Sequence, residues 1–104
     1  MEFPSSGKIL DHEASFSNML GKYTSSFVMA VSKKECRMIK DKLANQGFQV
    51  QSNYITSKEL QHLEQRHTGM AYDSVMVKKD RNNSYYLVGF VKGEETIVVN
   101  SIRW

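Results

Sequence analysis

The sequence predicts an α+β fold: a single domain built on a mixed sheet of about five strands, with about three helices mainly on one face. Three observations carry that expectation. The chain has 104 residues, 40% hydrophobic and 24% charged, with one proline and six scattered glycines, which is the make-up of one globular domain and not of a linker. Along the chain the apolar residues switch between helical spacing and simple alternation. The carboxy-terminal third holds three apolar runs separated by short polar turns, the pattern of a three-strand antiparallel meander.

Residues 1–10 read as a flexible arm, with Pro4, Ser5, Ser6 and Gly7 as breakers, and residues 11–104 as the domain. Asp11 is placed to N-cap a first helix, whose face would carry His12, Phe16, Met19, Leu20 and Tyr23 before Gly21 frays it. Phe27 to Val31 is a continuous apolar run, the mark of a strand covered on both sides. Ser32-Lys33-Lys34-Glu35 is a capping box that opens a second helix. Cys36, Ile39 and Leu43 form its inward stripe and Gly47 its stop.

Phe48, Val50 and Tyr54 then alternate with Gln49, Gln51 and Asn53, as in a half-buried strand. If this strand shares a sheet with Phe27–Val31, the connection is a right-handed parallel crossover. Thr56-Ser57-Lys58-Glu59 is a second capping box, starting a short helix with Leu60 and Leu63 inward and Gly69 as its stop. The meander follows: Val75-Met76-Val77, a turn at Asp80 to Asn83, Tyr85 to Val91, a turn at Lys92 to Glu95, and Thr96 to Trp104. Its middle strand is apolar on both faces, so it belongs in the interior of the sheet.

Composition narrows the setting. Fourteen basic against eleven acidic residues leave a net charge of +3, a mild tilt toward anionic partners and well short of an obligate nucleic-acid binder. The lone Cys36 has no disulfide partner, which suits a reducing compartment. The amino terminus lacks the basic and apolar regions of a signal peptide, and Phe27–Val31 is far too short for a membrane span. A cytoplasmic protein with no membrane partner is expected.

Catalytic and metal chemistry find little purchase. His62 and His67 are five residues apart, roughly 140° around a helix, so they do not form an i, i+4 ligand pair. His67 falls near a helix C-terminus, His62 beside Glu59 and Arg66 on a solvated face, and His12 one turn before Phe16. Cys36 has Lys33, Arg37 and Lys40 nearby to lower a thiol pKa, but its alignment with Ile39 and Leu43 favours a core position. P-loop, dinucleotide-binding and serine-hydrolase motifs are missing. No metal or cofactor is expected.

Metal-independent RNA cleavage needs only a base, an acid and a cation, and the histidines, glutamates, Arg37, Arg66, Arg81 and Arg103 offer all three. Helices ahead of an antiparallel meander resemble, in layout alone, the small ribonuclease toxins related to barnase and RelE. No motif of theirs maps onto these residues, so the resemblance assigns no catalytic residue.

The clearest surface feature is basic. Lys33, Arg37 and Lys40 make one stripe at i, i+4 and i+7 beside the buried face of the second helix, and Lys78, Lys79 and Arg81 surround a hairpin tip. Glu35, Asp41 and Asp80 dilute both clusters. Met38 adds an apolar contact framed by Lys34 and Lys42, and Trp104 ends the last strand, either as an anchor for a partner or as a lid on the core. Leu87 to Val91 matches a fragment of the RNA-recognition signature, yet its aromatics are better used as core. The expectation is a small intracellular binding or regulatory protein that works by contact with a macromolecule, above all a protein. Lys33, Arg37, Lys40, Lys78, Lys79, Arg81 and Trp104 are its candidate contacts. The alternatives are a metal-independent ribonuclease or an RNA-binding protein, and a homo-oligomer is compatible with either.

Overall fold

Strand alternation in the carboxy-terminal third builds the centre of the molecule. The computed structural model describes residues 8–17, 22–67, 70–80, 84–93 and 95–103. Its elements are β1 (Lys8–Ser17), β2 (Lys22–Ala30), α1 (Lys33–Asn45), β3 (Gln49–Val50), α2 (Lys58–Arg66), β4 (Tyr72–Asp80), β5 (Ser84–Val91) and β6 (Thr96–Arg103). The fold is α+β, with one six-stranded sheet in the order β1-β2-β6-β5-β4-β3. The expected meander is β4–β5–β6, and β5 is interior, paired with β4 on one side and β6 on the other.

Several expectations need correction. The segment after Asp11 is not a helix but strand β1, paired antiparallel with β2 along its whole length. The helical spacing of His12, Phe16 and Tyr23 is outweighed by alternation that sends Asp11 and Glu13 to one side and His12 to the other. A ladder with β2 and ion pairs to α2 reward the strand. The last three residues of the expected arm, Lys8 to Leu10, lie in β1, and residues 1–7 are outside the described residues.

The sheet is not mixed, because every pairing in it is antiparallel. β2 and β3 share the sheet and run in the same direction, as four successive antiparallel steps require, but three strands stand between them. The expected strand over 48–54 shrinks to Gln49–Val50, since at the sheet edge only β4 is there to pair with it.

Among the described residues there are two helices instead of three, and they lie on opposite faces. Ile39 and Leu43 of α1 pack on Met29, Met76, Val88, Phe90, Ile97 and Val99. Leu60 and Leu63 of α2 pack on Val28, Val75, Leu87, Val91, Val98 and Ile102 across the sheet. Neighbouring residues such as Val88 and Leu87 therefore serve different cores, which is why β5 and β6 read as continuous apolar runs.

Local signals hold where they depend on a few neighbours. Ser32 caps α1 with both halves of the capping box formed, and Gly47 follows its last turn at φ 95°, a conformation glycine adopts without a Cβ penalty. The second box is displaced: Ser57, not Thr56, caps α2 and accepts from the Leu60 amide at 3.0 Å. Ser57 is held there from below, by a hydrogen bond to Asn100.

Gly89 marks a close approach. A Cβ built there would lie 2.7 Å from the Tyr72 ring, which covers the glycine from β4. Gly89→Ala is expected to cost about 1–3 kcal/mol from overpacking. Tyr72→Ala in the same chain should recover part of that loss in urea unfolding, and strictly additive losses would disprove the steric cause.

Candidate functional site

The geometry of α1 follows from its cap and its stripe. Glu35 N–H donates to Ser32 Oγ at 3.1 Å, and Ser32 N–H donates to Glu35 Oε1 at 3.0 Å, which fixes the first turn. Burying Ile39 and Leu43 then turns Lys33 and Arg37 outward and leaves Lys40 half-buried. The start of α1 is tied to the connection between β5 and β6, where Val31 N–H donates to the Glu95 carbonyl at 2.9 Å.

Between these two pieces lies an open cleft of about 580 Å³. Phe90, Val91 and Cys36 are among the residues that form its walls, with Lys33, Arg37 and Lys40 on the α1 side and Asp73 and Glu95 opposite. Lys40 Nζ sits 4.8 Å from the centre of the Phe90 ring, a cation–π contact that places the ammonium over apolar surface. The sequence-predicted stripe Lys33–Arg37–Lys40 is thus one wall of a concavity, with an apolar patch and two carboxylates facing it.

Cys36 shares the cleft, but as a neutral thiol. Burial pushes its pKa up, opposed by Lys40 and reinforced by Glu95 and Glu35. Its packing against the α1-side core agrees with the expected core position and gives no support to an activated nucleophile.

Lys78 and Lys79 stand elsewhere. They line a second hollow, of about 430 Å³, with Gly47, Gln49, Gln51, Val77 and Tyr85. Lys79 pairs with Tyr85, and Phe90 in the cleft is five residues further along β5, about 17 Å at the usual strand rise. The two basic clusters therefore form two hollows and not one surface. Arg81 and Trp104 lie outside the described residues. Met38 is exposed at 48%, on the flank of α1 where its spacing placed it.

A third charged group is structural in its geometry. Arg66 donates from Nε and Nη2 to Asp11 at 2.9 and 3.1 Å and from Nη1 to Glu13 at 2.5 Å, while His67 Nε2 lies 3.1 Å from Asp11. Ser15 donates to Glu59 beside them. These contacts strap β1 to α2. His12 is exposed on the other side of β1 and His62 is half-buried on α2, so the three histidines do not converge. Among the described residues no group of three His, Cys, Asp or Glu side chains is placed to hold a metal ion. Nor is any described helix long and apolar enough to cross a membrane.

The Arg66 guanidinium holds the Asp11 carboxyl down to about 2 from an ordinary 3.8, against some opposing desolvation and with further help from His67. A carboxyl lowered on folding contributes stability above its unfolded pKa and loses it as pH falls through the folded value. Protection of β1 amides from hydrogen exchange should accordingly be full at pH 5 and drop between about 4 and 2. Equal protection across that range would show that the strap does not hold β1.

Sequence reasoning missed one buried polar cluster. Ser26 and Ser57 both donate to Asn100 Oδ1, at 2.5 and 2.9 Å, with all three side chains buried. Nothing in the chain distinguishes these serines from surface ones except that Ser26 and Asn100 share a strand face with the apolar Val28, Val98 and Ile102. No protein-family model matches the chain, and neither a curated protein nor a solved structure matches it.

Proposed function

We propose that the protein is a binding or regulatory module that acts by contact with another protein, through the cleft between α1 and the β5–β6 connection. The observation that carries this reading is the cleft itself: three cations from one helix beside the apolar Phe90 and Cys36. Such a site suits a partner segment that carries a carboxylate next to an apolar side chain. The carboxylate meets Lys33 and Arg37 through charge-assisted hydrogen bonds, and the apolar group covers Phe90. Asp73 and Glu95 on the facing wall repel a uniformly acidic chain, so they add selectivity for register and partner. Met38, exposed beside Lys34 and Lys42, extends the contact along α1.

The other candidate contacts enter at a distance. Lys78 and Lys79 belong to the far hollow, and they would meet the same partner only if it spans the sheet. Arg81 and Trp104, outside the described residues, keep the role proposed for them from the sequence.

The test is a pair of charge reversals at exposed positions. Lys33→Glu with Arg37→Glu is expected to abolish capture of the partner from nuclease-treated lysate while leaving the thermal midpoint within a few degrees of the parent. Alkylation of Cys36, which shares the cleft, should slow when the captured partner is added back. Retained capture, or unchanged alkylation in the complex, would overturn the assignment of the cleft.

A further inference from the structure

The two helices are offset as well as opposed. α2 lies against β1 and β2 on its face of the sheet. On the other face α1 packs over residues from the upper halves of β2, β6, β5 and β4, so that no described helix lies on the lower half of that face. We propose that this uncovered half-face binds single-stranded nucleic acid.

Register shows what it displays. Along one row Tyr23 of β2 is paired with Arg103 of β6. Along the next, Ser25 is opposite Ser101, Ser101 opposite Tyr86, and Tyr86 opposite Lys78. Above them His12 of β1 is opposite Phe27. Tyr23 is 43% exposed, Arg103 and His12 are exposed, and Phe27, Tyr86, Ser25, Ser101 and Lys78 are half-buried. Phe27 and Tyr86 pack against the edge of the apolar core on that face, and the other residues of these rows lie outside it.

The chemistry suits bases and phosphates together. Tyr23 on β2 and Tyr86 on β5, with β6 between them, offer ring faces that accept any base, and Phe48 braces the Tyr86 ring at a centroid distance of 6.5 Å. Arg103 and Lys78 stand next to Tyr23 and Tyr86, where a backbone that follows stacked bases brings its phosphates. Ser25 and Ser101 add hydroxyls between the rings. Asp80 is the one carboxylate of the described residues paired into these rows, at their outer end. An apolar protein surface would fit less well, because serines and cations separate the rings and Ala14 is the aliphatic residue among them. A duplex hides its bases, so the prediction is specific to single strands.

The proposal is independent of the cleft, and the experiment keeps the two apart. A fluorescent oligouridylate of about 12 nucleotides is titrated with the protein at low and moderate salt and read by anisotropy, beside a hairpin duplex. Binding of the single strand that weakens with salt, with little binding of the duplex, is expected. Tyr23→Ser with Arg103→Ser should weaken it by about tenfold or more, whereas Lys33→Glu with Arg37→Glu should retain most of it. If the first pair disturbs the fold, Arg103→Glu alone serves, and amide shifts at Tyr23, Ser25, Ser101 and Tyr86 on adding the oligonucleotide locate the site in the unaltered chain. Absence of binding at low salt overturns the proposal. So does binding lost only in the α1 variant, or a half-face that becomes protected from exchange in a protein complex and never by the oligonucleotide.

Discussion

Leu43→Ala and Leu63→Ala each destabilise the protein by about 2–5 kcal/mol, and the double variant loses the sum of the two. Both leucines are buried, at 2% and 0% exposure, so truncation leaves a hole in a packed core. Their neighbours do not overlap. Leu43 contributes to the core with Ile39, Phe48, Val88 and Phe90, and Leu63 to the one with Leu60, Val98, Leu87 and Ile102. The sheet backbone stands between them. Substitutions that share no partners add to within about 0.5 kcal/mol, so the coupling between these two should be close to zero.

Urea unfolding of the four chains measures this directly. Should the double variant lack a folded baseline, Ile39→Val replaces Leu43→Ala at about 0.5–1.5 kcal/mol. A coupling well above 0.5 kcal/mol would mean that one core is shared, which is the single-faced arrangement expected from the sequence. The measurement therefore tests the architecture and not merely the importance of two leucines.

That architecture was half-legible, and the division is physical. Among signals that close within a few residues, the Ser32–Glu35 capping box, the apolar run before it and the meander with its interior strand survived, while the Thr56–Glu59 box gave way to a cap at Ser57. A capping box is formed by two side chains three residues apart, so nothing distant can forge it. Whether α2 lies above or below the sheet is different. The side is set by the path of residues 51–57 after β3, and periodicity does not encode it.

β1 shows the same limit from another side. His12, Phe16, Met19, Leu20 and Tyr23 fit a helical face, while Asp11 and Glu13 against His12 and Ala14 fit a strand. The choice between them is made by Arg66, remote in sequence, and by the ladder with β2, the next strand along the chain. For the candidate site, the stripe on α1 could be read from i, i+4 spacing, whereas the cleft could not, because its other wall comes from the β5–β6 connection. The distance between the two basic clusters was equally hidden: it equals the length of β5 between Tyr85 and Phe90, and it became measurable only once Lys79 was known to pair with Tyr85.

Asn100→Leu is the second change with a large expected effect, about 1–3 kcal/mol of lost stability, although it replaces a polar core residue with an apolar one of ordinary core type. Asn100 is fully buried, and its Oδ1 accepts from both Ser26 and Ser57. Ser57 in turn accepts from the Leu60 amide as the cap of α2, so the amide side chain docks the helix start onto β6 and β2. Leucine leaves two buried hydroxyls with no acceptor from β6, and each can turn only to the other, now 3.5 Å away. Removing one stranded hydroxyl should therefore help: Asn100→Leu with Ser26→Ala is expected to be more stable than Asn100→Leu alone, even though Ser26→Ala by itself destabilises. That reversal of sign separates an unsatisfied hydroxyl from simple overpacking, in which the smaller Ala would also relieve strain, when Asn100→Val is added as a control. Val is smaller than Leu and relieves packing, but it leaves both serines equally without an acceptor. If Asn100→Val restores parental stability, overpacking was the cause and the polar tie between the α2 cap and the sheet carries no weight; if it stays destabilised and Ser26→Ala still rescues it, the tie is what sets α2 on its face of the sheet.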